Sequence, residues 1–217
     1  MRRVITLDGP AGVGKSTLAK RVAEELGIAY LDTGAMFRTI AKTLGAEGLN
    51  TSEPTMETAL AKLRFSLSGS GAATALSCNG VPTGREIRTE EVGMLASRYA
   101  TLPAVRSYLK KAQQELGASY DLVAEGRDMG TAVFPDAPHK FFLDASPEVR
   151  AERRVKQLAE TGVSEDIAEV TKRIKERDAL DRGRALAPLV AAEDAVVIDT
   201  SHLDIQGVFD AIMRKLQ

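Results

Sequence analysis

The chain has 217 residues, of which 44% are hydrophobic and 27% charged, with a formal net charge of −1 at pH 7. This length suits one α/β domain with a small insertion, and a near-zero charge without a membrane-length apolar stretch argues against a general nucleic-acid or membrane surface. The single cysteine, Cys78, rules out a disulfide within the chain and suits a reducing compartment, so we expect a cytoplasmic protein.

The first elements predicted are a short strand at residues 4–7, a glycine-rich loop and a helix. The loop matches the phosphate-binding pattern G-x-x-x-x-G-K-[ST]. Glycines let the backbone wrap around an oxyanion, and the N–H groups that open a helix favour negative charge. Lys15 can reach the β- and γ-phosphates of a nucleotide, and the Ser16 hydroxyl can bind Mg²⁺. The predicted phosphate site consists of Gly9, Pro10, Ala11, Gly12, Val13, Gly14, Lys15, Ser16 and Thr17.

A second strand at residues 28–31 leads into a second helix through Asp32 and Thr33. Alternating strands and helices indicate a parallel sheet, and ligands of such sheets bind beyond the carboxyl ends of the strands. Thr33 and Arg38 therefore fall near the rim that holds the glycine loop. An Asp-Thr pair is also typical of a helix N-cap, and Arg38 is equally compatible with a solvated helix position.

The pattern changes after a helix predicted at residues 53–63. Residues 63–68 and 73–78 alternate apolar and polar side chains, which is the period of a strand. Asn79-Gly80 is a strong hairpin signal. We therefore expect residues 62–90 to form a small antiparallel β insertion in a core made of residues 1–61 and 91–217. A simple hairpin protrusion is the alternative.

The second half of the chain returns to alternating helices and strands. Helices are predicted at residues 89–99 and 104–116, with Gly117 ending the second, followed by a strand at 122–124 and the glycine-flanked segment Gly126-Arg127-Asp128-Met129-Gly130. This segment suits a site loop better than a core. A strand at 139–144, a helix from Pro147 to about residue 162, a helix capped by Ser164 up to 179, a strand at 195–198 and a helix at 205–216 complete the chain.

Several separated arginines stand at or near the predicted rim. Arg173, Arg177, Asp181 and Arg184 share one face if their helix continues, either as a solvated salt-bridged surface or as a mobile arm that brings guanidinium groups onto phosphates. Planar guanidinium forks suit two sets of phosphates, as phosphoryl transfer needs. The residues alone therefore indicate a small-molecule kinase. A regulator that hydrolyses ATP slowly is the alternative from another class.

The glycine loop at residues 9–17 and four further segments resemble the bacterial cytidylate kinases, in the same order along nearly the whole chain. The further segments are residues 31–38 (LDTGAMFR), 84–89 (GREIRT), 126–137 (GRDMGTAVFPDA), and 173–178 with the following 181–185 and 187–189. The resemblance implies transfer of the ATP γ-phosphate to CMP or dCMP with Mg²⁺. It also implies a P-loop-type parallel sheet flanked by helices, a nucleotide-monophosphate-binding insertion and an arginine-rich helical lid at about residues 160–186.

The resemblance also implies roles for individual residues. Those at the cytosine are Ser97, Arg106 and Asp128. Those at the CMP phosphate are Arg38, Arg127 and Arg184. Arg177 and Asp181 are implied at the sugar. Thr33 occupies a substrate-binding position at which serine is common in the family. Those implied as catalytic are Lys15, Arg127, Arg177 and Arg184. A carboxylate that accepts from the cytosine amino group would reject uracil, whose oxygen leaves that acceptor unpaired.

Other kinases remain as rivals to this interpretation. They are a UMP/CMP kinase of broader specificity and a shikimate-type kinase, and both the β insertion and the Asp128 loop argue against the second. We expect a monomer, because no exposed apolar stripe stands out, with nucleotides as partners rather than nucleic acid or a membrane.

Overall fold

The computed structural model of the protein describes residues 2–160 and 162–216. The strands are β1 (Val4–Asp8), β2 (Ala29–Asp32), β3 (Phe65–Ser68), β4 (Ala75–Cys78), β5 (Val81–Pro82), β6 (Leu122–Gly126), β7 (His139–Asp144) and β8 (Val196–Asp199). The α-helices are α1 (Lys15–Leu26), α2 (Thr33–Leu44), α3 (Glu53–Leu60), α4 (Glu90–Tyr99), α5 (Pro103–Ser119), α6 (Pro147–Ala159), α7 (Ile167–Arg182) and α8 (Ile205–Leu216).

Five strands form a parallel sheet in the order β2-β6-β1-β7-β8. Every residue of β1 is buried, as expected for a central strand covered by helices on both faces. The register pairs Asp8 with Gly126 and Asp32 with Glu125, so the carboxyl ends of β1, β2 and β6 lie side by side. The predicted class, a P-loop-type parallel sheet flanked by helices, is confirmed.

The alternating segments form a separate antiparallel sheet in the order β3-β4-β5. Asn79 and Gly80, which join β4 to β5, have φ angles of 52° and 78°, the positive values that a tight type I′ hairpin requires. The Tyr120 hydroxyl donates to the Leu67 carbonyl at 2.9 Å, and Gly71 N donates to Ile28 O at 2.8 Å. The small antiparallel sheet is therefore confirmed, and hydrogen bonds join it and its connecting segment to the residues just before β6 and β2.

Several predicted boundaries are wrong. Helix α5 continues past Gly117 to Ser119, because this glycine allows close packing: a Cβ there would lie 2.6 Å from the Phe134 ring. Asp166, rather than Ser164, caps α7 by accepting from Ala168 N and Glu169 N. Helix α3 ends at Leu60 rather than residue 63.

Helix α7 ends at Arg182, beyond the predicted residue 179. Arg184 therefore lies past the end of the helix rather than on its face. Residue 161, part of the predicted α6 helix and lid, lies outside the described residues. In the part of the chain that the structure describes, no helix combines the length and apolar character needed to cross a bilayer.

Candidate active site

The glycine loop lies between β1 and α1 and adopts a conformation that depends on its glycines. Gly9, Gly12 and Gly14 have φ angles of 145°, 85° and 90°. A Cβ on Gly9 would collide with the carbonyl oxygen of Leu143 at the end of β7. Helix α1 starts at Lys15, immediately after Gly14. The loop therefore presents the first N–H groups of this helix, the arrangement that binds phosphate oxygens.

Lys15 is buried against this loop, and its Nζ donates to the Pro10 carbonyl at 2.5 Å. Burial, reinforced by the positive charge of Arg127, lowers the pKa of Lys15 well below its ordinary value. A phosphate oxygen beside Lys15 would supply the negative charge that favours the ammonium form.

One cleft of about 690 Å³ joins the loop to most of the predicted substrate residues. It lies at the carboxyl ends of β1, β2 and β6, where ligands of parallel sheets bind. Gly9 and Pro10, the first residues of the loop, are not among the described residues that line the cleft. The predicted residues that line it are Ala11, Gly12, Val13, Gly14, Lys15, Ser16, Thr17, Thr33, Arg38, Ser97, Arg106, Arg127, Asp128, Arg177, Asp181 and Arg184.

Arg106 and Asp128 form an ion pair in one wall of the cleft. Arg106 Nη2 donates to Asp128 Oδ2, and its Nη1 donates to Ala100 O at 3.2 Å. The guanidinium carbon lies 6.0 Å from the centroid of the Phe37 ring. Burial raises the pKa of Asp128, and the charge of Arg106 acts in the opposite direction. This wall offers an acceptor, a donor and an aromatic face to a planar base.

Ser97 lines the same cleft, with its hydroxyl donating to Gly93 O one turn back at 3.1 Å. The Thr33 hydroxyl donates to the Glu125 carbonyl at 2.7 Å. Thr33 thus links α2 to β6. Both oxygens retain capacity as acceptors.

Asp181 holds two of the predicted arginines together. Its Oδ2 accepts from Arg127 Nε at 3.0 Å, and its Oδ1 accepts from Arg184. Burial acts to raise the pKa of Asp181, but the charges of Arg127 and Arg184 outweigh it and hold that pKa below the ordinary value. The pairing fixes both guanidinium groups while leaving other N–H donors of each fork for a ligand.

Arg177 and Arg38 complete the positive cluster. The Arg177 Nε is buried without a hydrogen-bond partner among the described residues. Burial and the neighbouring Arg127 lower the pKa of Arg177 to about 10. Arg38 Nη1 donates to the carbonyls of Ile87 and Thr89, both at 3.1 Å, which ties α2 to the segment that follows the small sheet.

Glu125 is a cleft residue that the sequence analysis did not single out. Its carboxylate is 5% exposed and accepts from the Tyr30 hydroxyl. Burial and the nearby Asp32 raise the pKa of Glu125, while Lys15 and a hydrogen bond with Ser16 act against that rise. Its position directly before Gly126, at the end of a predicted strand, is the signal that could have identified it.

Asp8 and Arg88 are two further residues that organise the cleft. Asp8 accepts from Met129 N at 2.9 Å and Gly130 N at 2.8 Å, which fixes the loop after Asp128. Burial raises the pKa of Asp8 to about 6. Arg88 donates to Asp32 at 2.6 Å. Asp8 directly follows the predicted strand at residues 4–7 and precedes the glycine loop, so its position in the sequence was the available signal.

The far end of the cleft lies between α6 and the segment joining β8 to α8. Arg153 donates to the Thr200 hydroxyl at 3.0 Å and to the Thr200 carbonyl at 2.5 Å. Leu203 and Ile205 add apolar surface there. The sequence offered no motif for this end, because its residues come from segments about 50 positions apart.

Comparisons with known proteins show which family the chain resembles over its length. The family model described as "Cytidylate kinase" matches residues 5–217. A cytidylate kinase from Oleidesulfovibrio alaskensis is 60% identical over 99% of this chain and 98% of its own length. One from Nitratidesulfovibrio vulgaris is 59% identical over 99% of this chain and 93% of its own length. A shikimate kinase structure from Bacteroides thetaiotaomicron aligns at 15% identity with a TM-score of 0.49, covering 99% of this chain and 96% of that one.

Proposed function

Because the chain belongs to the cytidylate kinase family, it is a nucleotide kinase, and we propose that the cleft transfers the γ-phosphate of ATP to CMP or dCMP. The products are ADP and CDP or dCDP. The observation that carries this proposal is the buried Arg106–Asp128 pair, which lies in the same cleft as the phosphate loop.

The ion pair suits cytosine. An Asp128 oxygen can accept from the exocyclic amino group, while Arg106 can donate to the ring acceptors. Uracil would place an oxygen against the buried carboxylate and leave both acceptors unpaired. Ser97 completes the base contacts in our proposal, and Phe37 supplies a stacking face.

The positive cluster suits two phosphate groups in line. Arg38, Arg127 and Arg184 hold the CMP phosphate, Arg177 and Asp181 lie at its sugar, and Thr33 borders the acceptor. Lys15, Arg127, Arg177 and Arg184 neutralise the charge that spreads over the transferred phosphoryl group. Because phosphoryl transfer depends on positioning and electrostatic stabilisation, no covalent intermediate is needed.

The donor set beside the loop also fits Mg²⁺. The Ser16 hydroxyl at the start of α1 and the Glu125 carboxylate both line the cleft beside the loop, and oxygen ligands are those that Mg²⁺ prefers. In the described residues, no group of three or more His, Cys, Asp or Glu side chains is placed to hold a metal. This suits an ion bound through one or two protein oxygens and the nucleotide phosphates. When bound, Mg²⁺ would neutralise phosphate charge.

The domain organisation that we propose assigns each part of the chain to one step of this reaction. We assign residues 62–90 to a nucleotide-monophosphate-binding insertion, residues 1–61 and 91–217 to the kinase core, and about residues 160–186 to a lid that closes over the phosphates. We also propose a cytoplasmic monomer that does not bind nucleic acid, which a net charge of −1 supports.

The test is ADP formation from ATP and Mg²⁺ with CMP, dCMP, UMP, AMP, shikimate or no acceptor. We expect turnover with CMP and dCMP, and product analysis should show CDP or dCDP. Equal turnover with UMP would refute the role of Asp128 in base recognition. ADP formation without an acceptor, or none at all, would favour a regulator over a kinase.

A further inference from the structure

Arg150 of α6 is a charged residue buried next to the cleft, with 1% of its surface exposed. Its guanidinium forms a two-pronged ion pair with Asp178 of α7, in which Nη1 donates to Oδ1 at 3.0 Å and Nη2 donates to Oδ2. Its Nε donates to the Ala145 carbonyl at 2.9 Å. The planar fork is therefore fixed on both sides.

The same side chain contacts the phosphate loop. Arg150 Nη1 also donates to the carbonyl of Ala11, at 3.2 Å. A Cβ on Gly12 would lie 3.4 Å from the Arg150 Cβ and 3.7 Å from its Cγ, so the arginine stem backs the loop at Gly12. The loop conformation thus depends on a residue 139 positions later in the chain.

Asp178 connects this support to the arginine cluster. It is next in sequence to Arg177 and one helical turn before Asp181, which holds Arg127 and Arg184. A shift of α7 relative to α6 would therefore move the guanidinium groups relative to the phosphate loop. Phosphoryl transfer is sensitive to such a displacement between donor and acceptor.

We propose that the Arg150–Asp178 pair is a positioning device that holds the phosphate loop, through Ala11 and Gly12, in register with the arginine-bearing helix α7. This inference rests on the proposed kinase function. Neither residue touches the substrate in this assignment. The pair acts through the loop and through Arg177 and Asp181.

The decisive variant combines Arg150→Met with Asp178→Leu. Replacing both members of a buried ion pair by apolar residues is often neutral for stability, whereas removing one member leaves an unpaired buried charge. The double variant therefore separates folding from positioning, because it retains packing between α6 and α7 but leaves the Ala11 carbonyl without its donor. The matched control is Lys175→Met, which removes an exposed ion pair between the same two helices, Lys175–Glu148 at 2.8 Å.

The measurements are the thermal melting temperature, the affinity for Mg²⁺ with a non-transferable ATP analogue by calorimetry, and the KM values for ATP and CMP. We expect the double variant to melt near the temperature of the unchanged protein. Its affinity for the analogue should fall by about tenfold and its KM for ATP should rise by about tenfold, as loss of a charged hydrogen bond implies. Its KM for CMP should change less. Lys175→Met should change none of them.

Wild-type analogue affinity and KM for ATP in the double variant would overturn the proposal, and so would an equal loss in the control. If the double variant does not fold, Asp178→Asn provides the second test. That variant retains the arginine contacts to Ala145 and Ala11, and should give a smaller loss of analogue affinity together with a lower kcat. Wild-type affinity and kcat there would overturn the proposal. Failure of the kinase proposal itself would appear separately, as an absence of CMP-dependent turnover in the unchanged protein.

Discussion

Replacing Asp128 by asparagine tests the proposed recognition of cytosine. The carboxylate is 4% exposed, so water cannot replace a lost base contact. Its Oδ2 is already paired with Arg106, and its remaining acceptor capacity is assigned to the cytosine amino group. An asparagine amide has nearly the same shape but can rotate to donate to the oxygen that uracil carries at that position.

The expected magnitude follows from these contacts. The substitution converts a charge-assisted hydrogen bond to cytosine into a neutral one, and removes the penalty of an unpaired buried acceptor for uracil. Each effect is worth about 1–2 kcal/mol. Because both effects act on the same ratio, kcat/KM for CMP divided by that for UMP should fall by about 30- to 800-fold.

The assay measures kcat/KM for both acceptors at saturating ATP and Mg²⁺. Asp181→Asn is the matched control, because Asp181 is also a buried aspartate paired with arginines, but it holds the phosphate-binding groups rather than the base. It should lower both kcat/KM values by similar factors. An unchanged CMP/UMP ratio in Asp128→Asn, or an equal change in the control, would refute the reasoning.

Three further changes test other parts of the cleft. Arg127→Ala should lower kcat/KM for CMP by about 100-fold or more, since it removes a charged guanidinium group that contacts the transition state. Arg127→Lys should retain only part of the original kcat/KM. Unchanged kcat/KM in Arg127→Ala would remove Arg127 from the assigned role. Glu125→Gln should raise the Mg²⁺ concentration needed for half-maximal binding of the ATP analogue by about tenfold, measured by titration; an unchanged value would exclude Glu125 from the metal site. Burial raises the pKa of Asp8 from 3.8 to about 6. Between these two pH values the folded protein therefore binds one more proton than the unfolded chain. Relative to Asp8→Asn, the unchanged protein should lose up to about 3 kcal/mol of unfolding free energy as pH rises from 4 to 6. Urea unfolding at several pH values measures this difference, and parallel pH profiles would contradict it.

The sequence predicted the elements well where local chemistry determines them. The glycine loop, the Asn79-Gly80 hairpin and the strand at residues 139–144 depend on φ requirements and apolar patterning that one short segment contains. Gly117 misled the prediction because a glycine has two uses. It resembled a helix end, but the structure uses it to bring α5 against Phe134, a contact that no local pattern reveals.

Some residues of the candidate site belong to local motifs, and others are brought into the site only by tertiary contacts. The phosphate loop and the segment around Arg127 were recognisable as motifs, and the structure places them in one cleft. The sequence assigned no role to Arg150 or Asp178, because the contact that connects them joins two helices and a loop near the start of the chain. The sequence alone gave no reason to distinguish this ion pair from the exposed Lys175–Glu148 pair of the same helices.

The electrostatics of the cleft also favour two phosphate-bearing ligands. Lys15, Arg38 and Arg177 all have pKa values lowered by burial, with neighbouring positive charge adding to that effect at each. Asp181 compensates Arg127 and Arg184, but no carboxylate pairs with Arg177 Nε among the described residues. Phosphates bound beside these groups would relieve repulsion that the folded chain otherwise carries. ADP and CMP together should therefore raise the melting temperature by more than either nucleotide alone, because binding to the folded state stabilises it.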